Sequence, residues 1–329
     1  MEKRAQHALY HWYLQSGRLL PWRTSRDPYR IWLSETMLQQ TTIQVVLPYY
    51  GKFLQDFPTL SDLAKAPESK VLEAWAGLGY YSRARNLHKA AKALSQLGCF
   101  PKTAAELMEY PGFGSYTSRA VSSIAFGEAV GVLDGNVIRV LSRYFALKAE
   151  WWKTTGRREL QGLADQAVQD FPSGEMNQAL MDLGSTICIA TQPACPICPV
   201  NKACRARQEN RCQDFPLKRP GKAREIWQWR PQVWRQQGKI ALYWNGGKVP
   251  FLKNHWILPG PVKQLRQKPK KYSFRHSITH HDIFVLPQRR NGTSTPKSWR
   301  WAPEREVSQW VPASLIKKTL QQADKVLSD

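Results

Sequence analysis

Acidic residues are scarce in this chain: 25 Asp and Glu stand against 48 Lys and Arg in 329 residues, a formal net charge of +23. Such a field attracts polyanions, so nucleic acid and anionic membrane surfaces are the leading partner classes. A run of about 18 uncharged apolar residues is missing, which excludes an ordinary membrane-spanning helix. Residues 1–20 lack the apolar core of a signal peptide, and Glu2, Lys3, Arg4 and His7 read as the opening of an amphipathic helix, so an intracellular, cytoplasmic protein is expected. Cysteine is sparse as well: there are six, four of them between 188 and 204, too few and too clustered for a disulfide framework. No repeat of fixed period and no long low-complexity tract occurs. With 42% apolar and 22% charged residues the chain is expected to fold, and its length favours two domains over one.

The positive charge is uneven. Residues 1–210 hold 24 basic and 18 acidic side chains (net +6), whereas 211–329 hold 24 and 7 (net +17). Up to about 204, apolar residues recur at helical spacing, as at Val71, Leu72 and Trp75, at Leu87, Ala91 and Leu94, and at Val137, Val140, Leu141 and Tyr144. Breaks at Asp27-Pro28, Phe57-Pro58, Ala66-Pro67, Phe100-Pro101, Pro111-Gly112 and Asp134-Gly135 predict many short helices. Residues 205–224 turn polar, basic and proline-containing, as a linker would. Beyond it, short β-branched and aromatic pieces around Trp227 and Trp229, over 239–244, 256–258 and 282–286 predict strands, and a last helix is expected over about 313–327. The expected architecture is a mainly α core over 1–204, a basic linker over 205–224 and a smaller α+β domain over 225–329.

Cys188, Cys195, Cys198 and Cys204 are separated by six, two and five residues. Four thiolates this close can surround one centre, and the ligand set alone permits either tetrahedral zinc or an iron–sulfur cluster. Cys99 and Cys212 fall outside the pattern and read as ordinary thiols. Lys202, Arg205 and Arg207 beside the loop suggest that it lies against phosphates. Residues 107–117, LMEYPGFGSYT, place Gly112 and Gly114 in a turn before an apolar helical run, where close backbone packing and free helix-start amides can face an anion. Glu35 lies among apolar neighbours that could desolvate it, and Asp134 heads a helix that would favour its ionised form. From composition alone each is equally an ordinary solvated acid or helix cap.

Three stretches resemble the MutY-type adenine DNA glycosylases of the endonuclease III-like helix-hairpin-helix superfamily: LPWR (20–23) with DPY (27–29), WLSETMLQQT (32–41) and GLGYYSRARN (77–86). With the hairpin, LDGNV (133–137), residues 177–184 and the cysteine loop, the similarity spans about 8–204. It implies a monofunctional enzyme that hydrolyses adenine from duplex DNA opposite 8-oxoguanine or guanine, acting as a monomer without a membrane. On the family pattern Cys188, Cys195, Cys198 and Cys204 hold a 4Fe-4S cluster, and Gly112 and Gly114 belong to a DNA-backbone clamp. Glu35 protonates adenine at N7, Asp134 stabilises the sugar cation, and Asn136 and Tyr116 support them. Base removal needs such a pair of carboxyl groups in different environments. Tyr116 stands where related glycosylase-lyases carry a Schiff-base lysine, so strand cleavage is not expected. The resemblance also implies that Gln40 and Tyr80 fill the duplex behind the flipped base, and that Arg23, Leu38 and Gln178 line the adenine pocket.

Residues 225–329 resemble the family's Nudix-like lesion-recognition domain in a short, basic version. In FRHSITH (274–280), Ile278, Thr279 and His280 stand where the family's loop touching 8-oxoguanine has Phe-Ser-His. Loss of the aromatic residue puts the discrimination of 8-oxoguanine from guanine in doubt. No Glu-rich Nudix box is found, so pyrophosphatase activity is not expected. His276, His280 and His281 with Asp282 could mimic a zinc site, and residues 263–271 form a basic stretch that would raise DNA affinity. Two alternatives remain: a thymine or uracil mismatch glycosylase of the same superfamily, and a non-catalytic metal-containing DNA-binding protein.

Overall fold

A computed structural model describes residues 1–221, 223–290, 296, 298–307, 311 and 314–326. The chain divides into two compact units, Met1–Arg219 and Pro220–Asp329. The first is helical: α1 (Lys3–Ser16), α2 (Pro28–Leu38), α3 (Ile43–Asp56), α4 (Leu60–Lys65), α5 (Glu68–Ala74), α6 (Tyr81–Gln96), α7 (Ala104–Leu107), α8 (Ser115–Phe126), α9 (Gly135–Tyr144), α10 (Thr154–Val168), α11 (Ser173–Thr186) and α12 (Arg205–Gln208). Local chemistry sets several starts. Asp27 accepts hydrogen bonds from the amides of Tyr29 and Arg30 while Pro28 supplies the first helical residue of α2. Thr59 with Asp62, and Thr103 with Glu106, form capping boxes that open α4 and α7. Among the described residues no helix is long and apolar enough to cross a membrane.

The helical unit buries two apolar clusters. One gathers Trp22, Trp32, Phe53, Trp75, Leu87 and Phe113, and the other Leu9, Val137, Leu141, Leu160, Leu180 and Leu183. Arg83 on α6, itself buried, ties the first cluster's loops together. Its guanidinium donates to the carbonyls of Thr36 and Met37 at 2.9 Å each and to that of Leu78 at 3.2 Å, filling acceptors that the end of α2 leaves open.

The expected linker is shorter than the sequence suggests. Residues 205–219 belong to the helical unit, because Ala206 and Phe215 are buried and Arg143 donates to the carbonyls of Cys212 and Phe215 at 2.8 and 3.1 Å. The Trp151 indole adds a hydrogen bond to the Leu217 carbonyl at 2.9 Å. Two isolated apolar anchors in a polar stretch carry no periodicity, which is why composition alone reads as a tether.

The second unit is α+β. Its strands are β1 (Glu225–Trp229), β2 (Gln232–Val233), β3 (Arg235–Gln236), β4 (Lys239–Asn245), β5 (His255–Ile257), β6 (Val262–Leu265), β7 (Phe274–Ile278), β8 (His281–Val285), β9 (Gln288–Arg289) and β10 (Trp299–Pro303). One sheet runs β6-β1-β8-β7, a second β10-β4-β3 with β5 on β4, and β2 pairs with β9. Strands β1 and β8 are parallel, with Glu225 opposite His281. A helix, Ser314–Val326, supplies Leu315 and Ile316 to a core containing Trp229, Leu242, Phe251 and Ile283. All four expected strand regions are present. The two-residue strands are additional, being too short to show a period.

If residues 205–219 pack as described, Phe215→Ala should cost the helical unit about 3–5 kcal/mol. It should also open 205–219 to proteolysis in the full chain. An unchanged melting curve and protease pattern would return the segment to the linker.

Candidate active site

A cavity of about 600 Å3 opens in the helical unit and draws side chains from both clusters. Glu35 from α2, Tyr116 from α8, Asp134 and Asn136 at the head of α9, and Gln178 and Met181 from α11 line it, together with Arg23, Leu38 and Ile31. Seven residues expected at the chemistry or the base pocket (Arg23, Glu35, Leu38, Tyr116, Asp134, Asn136 and Gln178) therefore share one cavity.

Glu35 is 5% exposed on a helix whose neighbours Ile31, Trp32, Leu33 and Met37 are all buried. Its carboxyl accepts a 2.6 Å hydrogen bond from the Tyr116 hydroxyl. Burial pushes the carboxyl above the ordinary glutamate range, and the nearby Asp134 adds to that. The Tyr116 hydrogen bond and the Arg23 charge oppose it. Asp134 caps α9: one oxygen accepts from the Val137 amide at 2.7 Å and the other from the Asn136 side chain at 2.8 Å. The hydrogen bonds at the helix start favour its ionised form, as the sequence suggests, but they are outweighed. Burial, the largest influence, raises Asp134 above its ordinary range despite the hydrogen bonds from Val137 and Asn136.

Several residues that organise this cavity were not singled out in the sequence. Asp182, buried on α11 four residues after Gln178, takes both Arg23 amino groups at 2.7 and 2.8 Å and also the Arg18 guanidinium. Burial disfavours charge on Arg23 and on Asp182, and the pairing outweighs it: Arg23 is held higher and Asp182 lower than usual. Tyr13 hydrogen-bonds the Gln178 side-chain oxygen. Arg139 links the cavity to the cysteine loop, donating to the Asn136 side chain at 2.8 Å, the Gly184 carbonyl at 2.6 Å and the Cys188 carbonyl at 2.7 Å. A β-carbon on Gly184 would stand 2.6 Å from that of Asn136, so only glycine lets α11 pass this close. The signal available beforehand was helical spacing: 178 with 182, and 139 with 143, each share a helix face.

A second cleft brings together Gln40, Tyr80 and Gly112. Gln40 and Tyr80 both adopt left-handed backbone, at φ 58° and 49°, and Tyr80 is 59% exposed. Two non-glycine residues held in a sparsely populated region at one rim are a sign of local strain at a working surface. Gly112 is also left-handed (φ 87°) and lies against Asn86, while Gly114 forms the N-cap of α8.

Cys188, Cys195, Cys198 and Cys204 line one pocket with Leu183, Ile187 and Val200. Arg143 reaches into it, 3.4 Å from the Cys188 sulfur and bonded to the carbonyls of Ile189 and Ala190 at 2.7 and 2.9 Å. Burial pushes the Cys198 thiol up to about 12, and the neighbouring cysteines add to this against a backbone hydrogen bond at Val200. Among the described residues the one group of three or more His, Cys, Asp or Glu ligand atoms within 4.8 Å of one another is Glu225, His280 and His281. Cys212, which falls outside the spacing pattern, also lines the pocket, its sulfur 3.9 Å from that of Cys195.

In the second unit, Thr279 and His280 form the two-residue tip between β7 and β8, with Thr279 left-handed at φ 52°. Ile278, expected at the tip, is instead the last residue of β7 and packs against the domain core. The proposed histidine cluster is also rearranged. Asp282 is taken by Ser277 at 2.7 Å, Arg275 at 2.9 Å and Arg224. His276 is paired across the hairpin with Ile283, and Glu225 completes the group with His280 and His281.

A model of the HhH-GPD superfamily of base excision DNA repair proteins matches residues 33–164. The adenine DNA glycosylase of Homo sapiens is 47% identical over 212 residues, which are 61% of this chain and 39% of the human protein. That of Buchnera aphidicola subsp. Baizongia pistaciae is 32% identical over 305 residues, covering 85% of this chain and 84% of the relative. A solved thermostable thymine-DNA glycosylase superposes with TM-score 0.57 at 29% identity, over 62% of this chain and 95% of its own. The chain thus spans less than half of the human relative and most of the Buchnera one, and the extended match to the latter shows that it belongs to the adenine DNA glycosylase family within the HhH-GPD superfamily.

Proposed function

We propose that this chain is a monofunctional adenine DNA glycosylase that hydrolyses the N-glycosidic bond of adenine opposite 8-oxoguanine or guanine in duplex DNA and leaves an abasic site. The observation that carries it is the meeting of two carboxyl groups, the buried Glu35 and the half-buried Asp134, in one cavity of a family member. A purine leaves readily only when protonated, and Glu35, kept neutral by its apolar helix, is the group able to hand a proton to N7. Asp134, fixed by Val137 and Asn136, would face the cationic sugar, whose positive charge favours its ionised form. Tyr116 holds the Glu35 carboxyl in place. Arg23, Leu38 and Gln178 would embrace the flipped base, while Gln40 and Tyr80 would occupy the gap it leaves.

Strand cleavage through a Schiff base needs an amine at the sugar. The cationic side chains lining the cavity are Arg18 and Arg23, both engaged with Asp182, and the hairpin position carries Tyr116. The four patterned cysteines would hold a 4Fe-4S cluster, which when bound would fix the loop that presents Lys202, Arg205 and Arg207 to phosphates. The hairpin glycines Gly112 and Gly114 would clamp the backbone, and Thr279 and His280 would meet the base opposite. A monomer acting on DNA inside the cell completes the proposal.

Single-turnover assays on duplexes carrying A opposite 8-oxoguanine, A opposite G, T opposite G and U opposite G should show adenine loss, with nicks appearing mainly after alkali. Glu35→Gln should lower that rate about 10²–10⁴-fold. Excision confined to T or U would move the protein to the pyrimidine branch suggested by the thymine-DNA glycosylase likeness. A wild-type rate for Glu35→Gln would remove Glu35 as the acid.

The pH dependence has a definite sign. Glu35 acts while protonated, so the rate should fall as pH rises through its folded pKa, which lies above the ordinary glutamate range. Tyr116→Phe removes a hydrogen bond that favours the ionised form and should move this limb to higher pH. A limb that stays put or moves down would contradict the assigned geometry.

A further inference from the structure

Glu225, His280 and His281 stand apart from the cavity's chemistry and form a compact donor set. The Glu225 carboxylate lies 3.6 Å through one oxygen from His280 Nε2 and 3.4 Å through the other from His281 Nε2, and all three ligand atoms fall within 4.8 Å. Two imidazoles and a carboxylate at bond lengths of about 2.0–2.2 Å from a tetrahedral zinc ion would be separated by roughly 3.3–3.5 Å, leaving one position for water. The two carboxylate–imidazole spacings, one to each Glu225 oxygen, approach that figure, and the three ligand atoms lie within 4.8 Å of one another.

The surroundings hold these groups. The β1–β8 register places Glu225 opposite His281, and the Glu225 amide donates to the His280 carbonyl at 2.9 Å, so two strands fix all three backbones. The Trp227 indole donates to the Glu225 carboxylate at 3.0 Å. The Thr279 hydroxyl sits 3.3 Å from His280 Nδ1, which leaves Nε2 facing the carboxylate. Outer partners of this kind orient metal ligands in established sites. His281 is buried, whereas Glu225 and His280 are partly exposed, giving an ion a way in. The nearby cations Arg224 and Arg275 are engaged by Asp282.

From this geometry we infer that Glu225, His280 and His281 form a zinc(II) site that ties the Thr279–His280 tip to β1. The ion would occupy His280 Nε2, so the tip would meet DNA through Thr279 and the outer face of the site. Discrimination at the tip would then depend on metal as well as on residue identity.

The test is zinc titration of the full-length holoprotein against a chromophoric chelator, with iron quantified in the same samples. Wild type should bind one more zinc per chain than Glu225→Gln or His281→Ala at equal iron content. Trp227→Phe should keep the site at about tenfold lower affinity. Glu225→Gln is nearly isosteric and partly exposed, so it decides the matter should His281→Ala fail to fold. Equal zinc uptake by wild type and Glu225→Gln would overturn the site and leave the trio as a carboxylate–imidazole cluster.

Discussion

The arrangement of the helical unit depends on keeping a carboxyl group dry. Glu35 sits on the inner face of α2, between side chains that would serve any helical core, and its carboxyl is hydrogen-bonded by the Tyr116 hydroxyl. Burying a charged carboxylate without a cation in contact costs several kcal/mol, and the cheaper state is the protonated one. The nearest cation, Arg23, is bound at 2.7 Å to Asp182 and so lends Glu35 only part of its field. The Arg23–Asp182 pair thus matters as much for what it withholds from Glu35 as for what it stabilises.

Helix α9 carries the second constraint. Its N-cap is Asp134, the side chain of its second residue, Asn136, accepts from Arg139, and one turn after Arg139 the guanidinium of Arg143 is sunk among carbonyls of the cysteine loop and of residues 212–215. One rigid element therefore sets the place of Asp134 and of the cysteine loop together. Disturbing the loop would be felt at Asp134 through Arg139 and Gly184, without any electronic role for a cluster.

Much of this was legible in the sequence, for physical reasons that differ from residue to residue. Helices were marked by apolar spacing and by proline or aspartate starts, whereas Glu35 was singled out by the family resemblance, its apolar neighbours alone leaving an ordinary acid open. The interactions of Arg83, Arg139, Arg143 and Asp182 were not, because a buried charged residue looks in sequence like any solvated one until its partner, 40 to 160 positions away, is known. The opposing effect of burial on Asp134 was hidden because a helix cap is visible in sequence while depth of burial is not. Residues 205–219 and Ile278 failed similarly: single apolar anchors and strand ends have no period to betray them.

The claim at the centre of this account is that Glu35 stays protonated where an ordinary glutamate would not. Infrared difference spectra of full-length protein against Glu35→Gln, recorded through a pH titration, would report its protonated carbonyl band directly. Persistence of that band above the usual glutamate range is the expected result. Its loss within that range would mean that Glu35 is ionised in the free protein and that the proton delivered to the base comes from elsewhere.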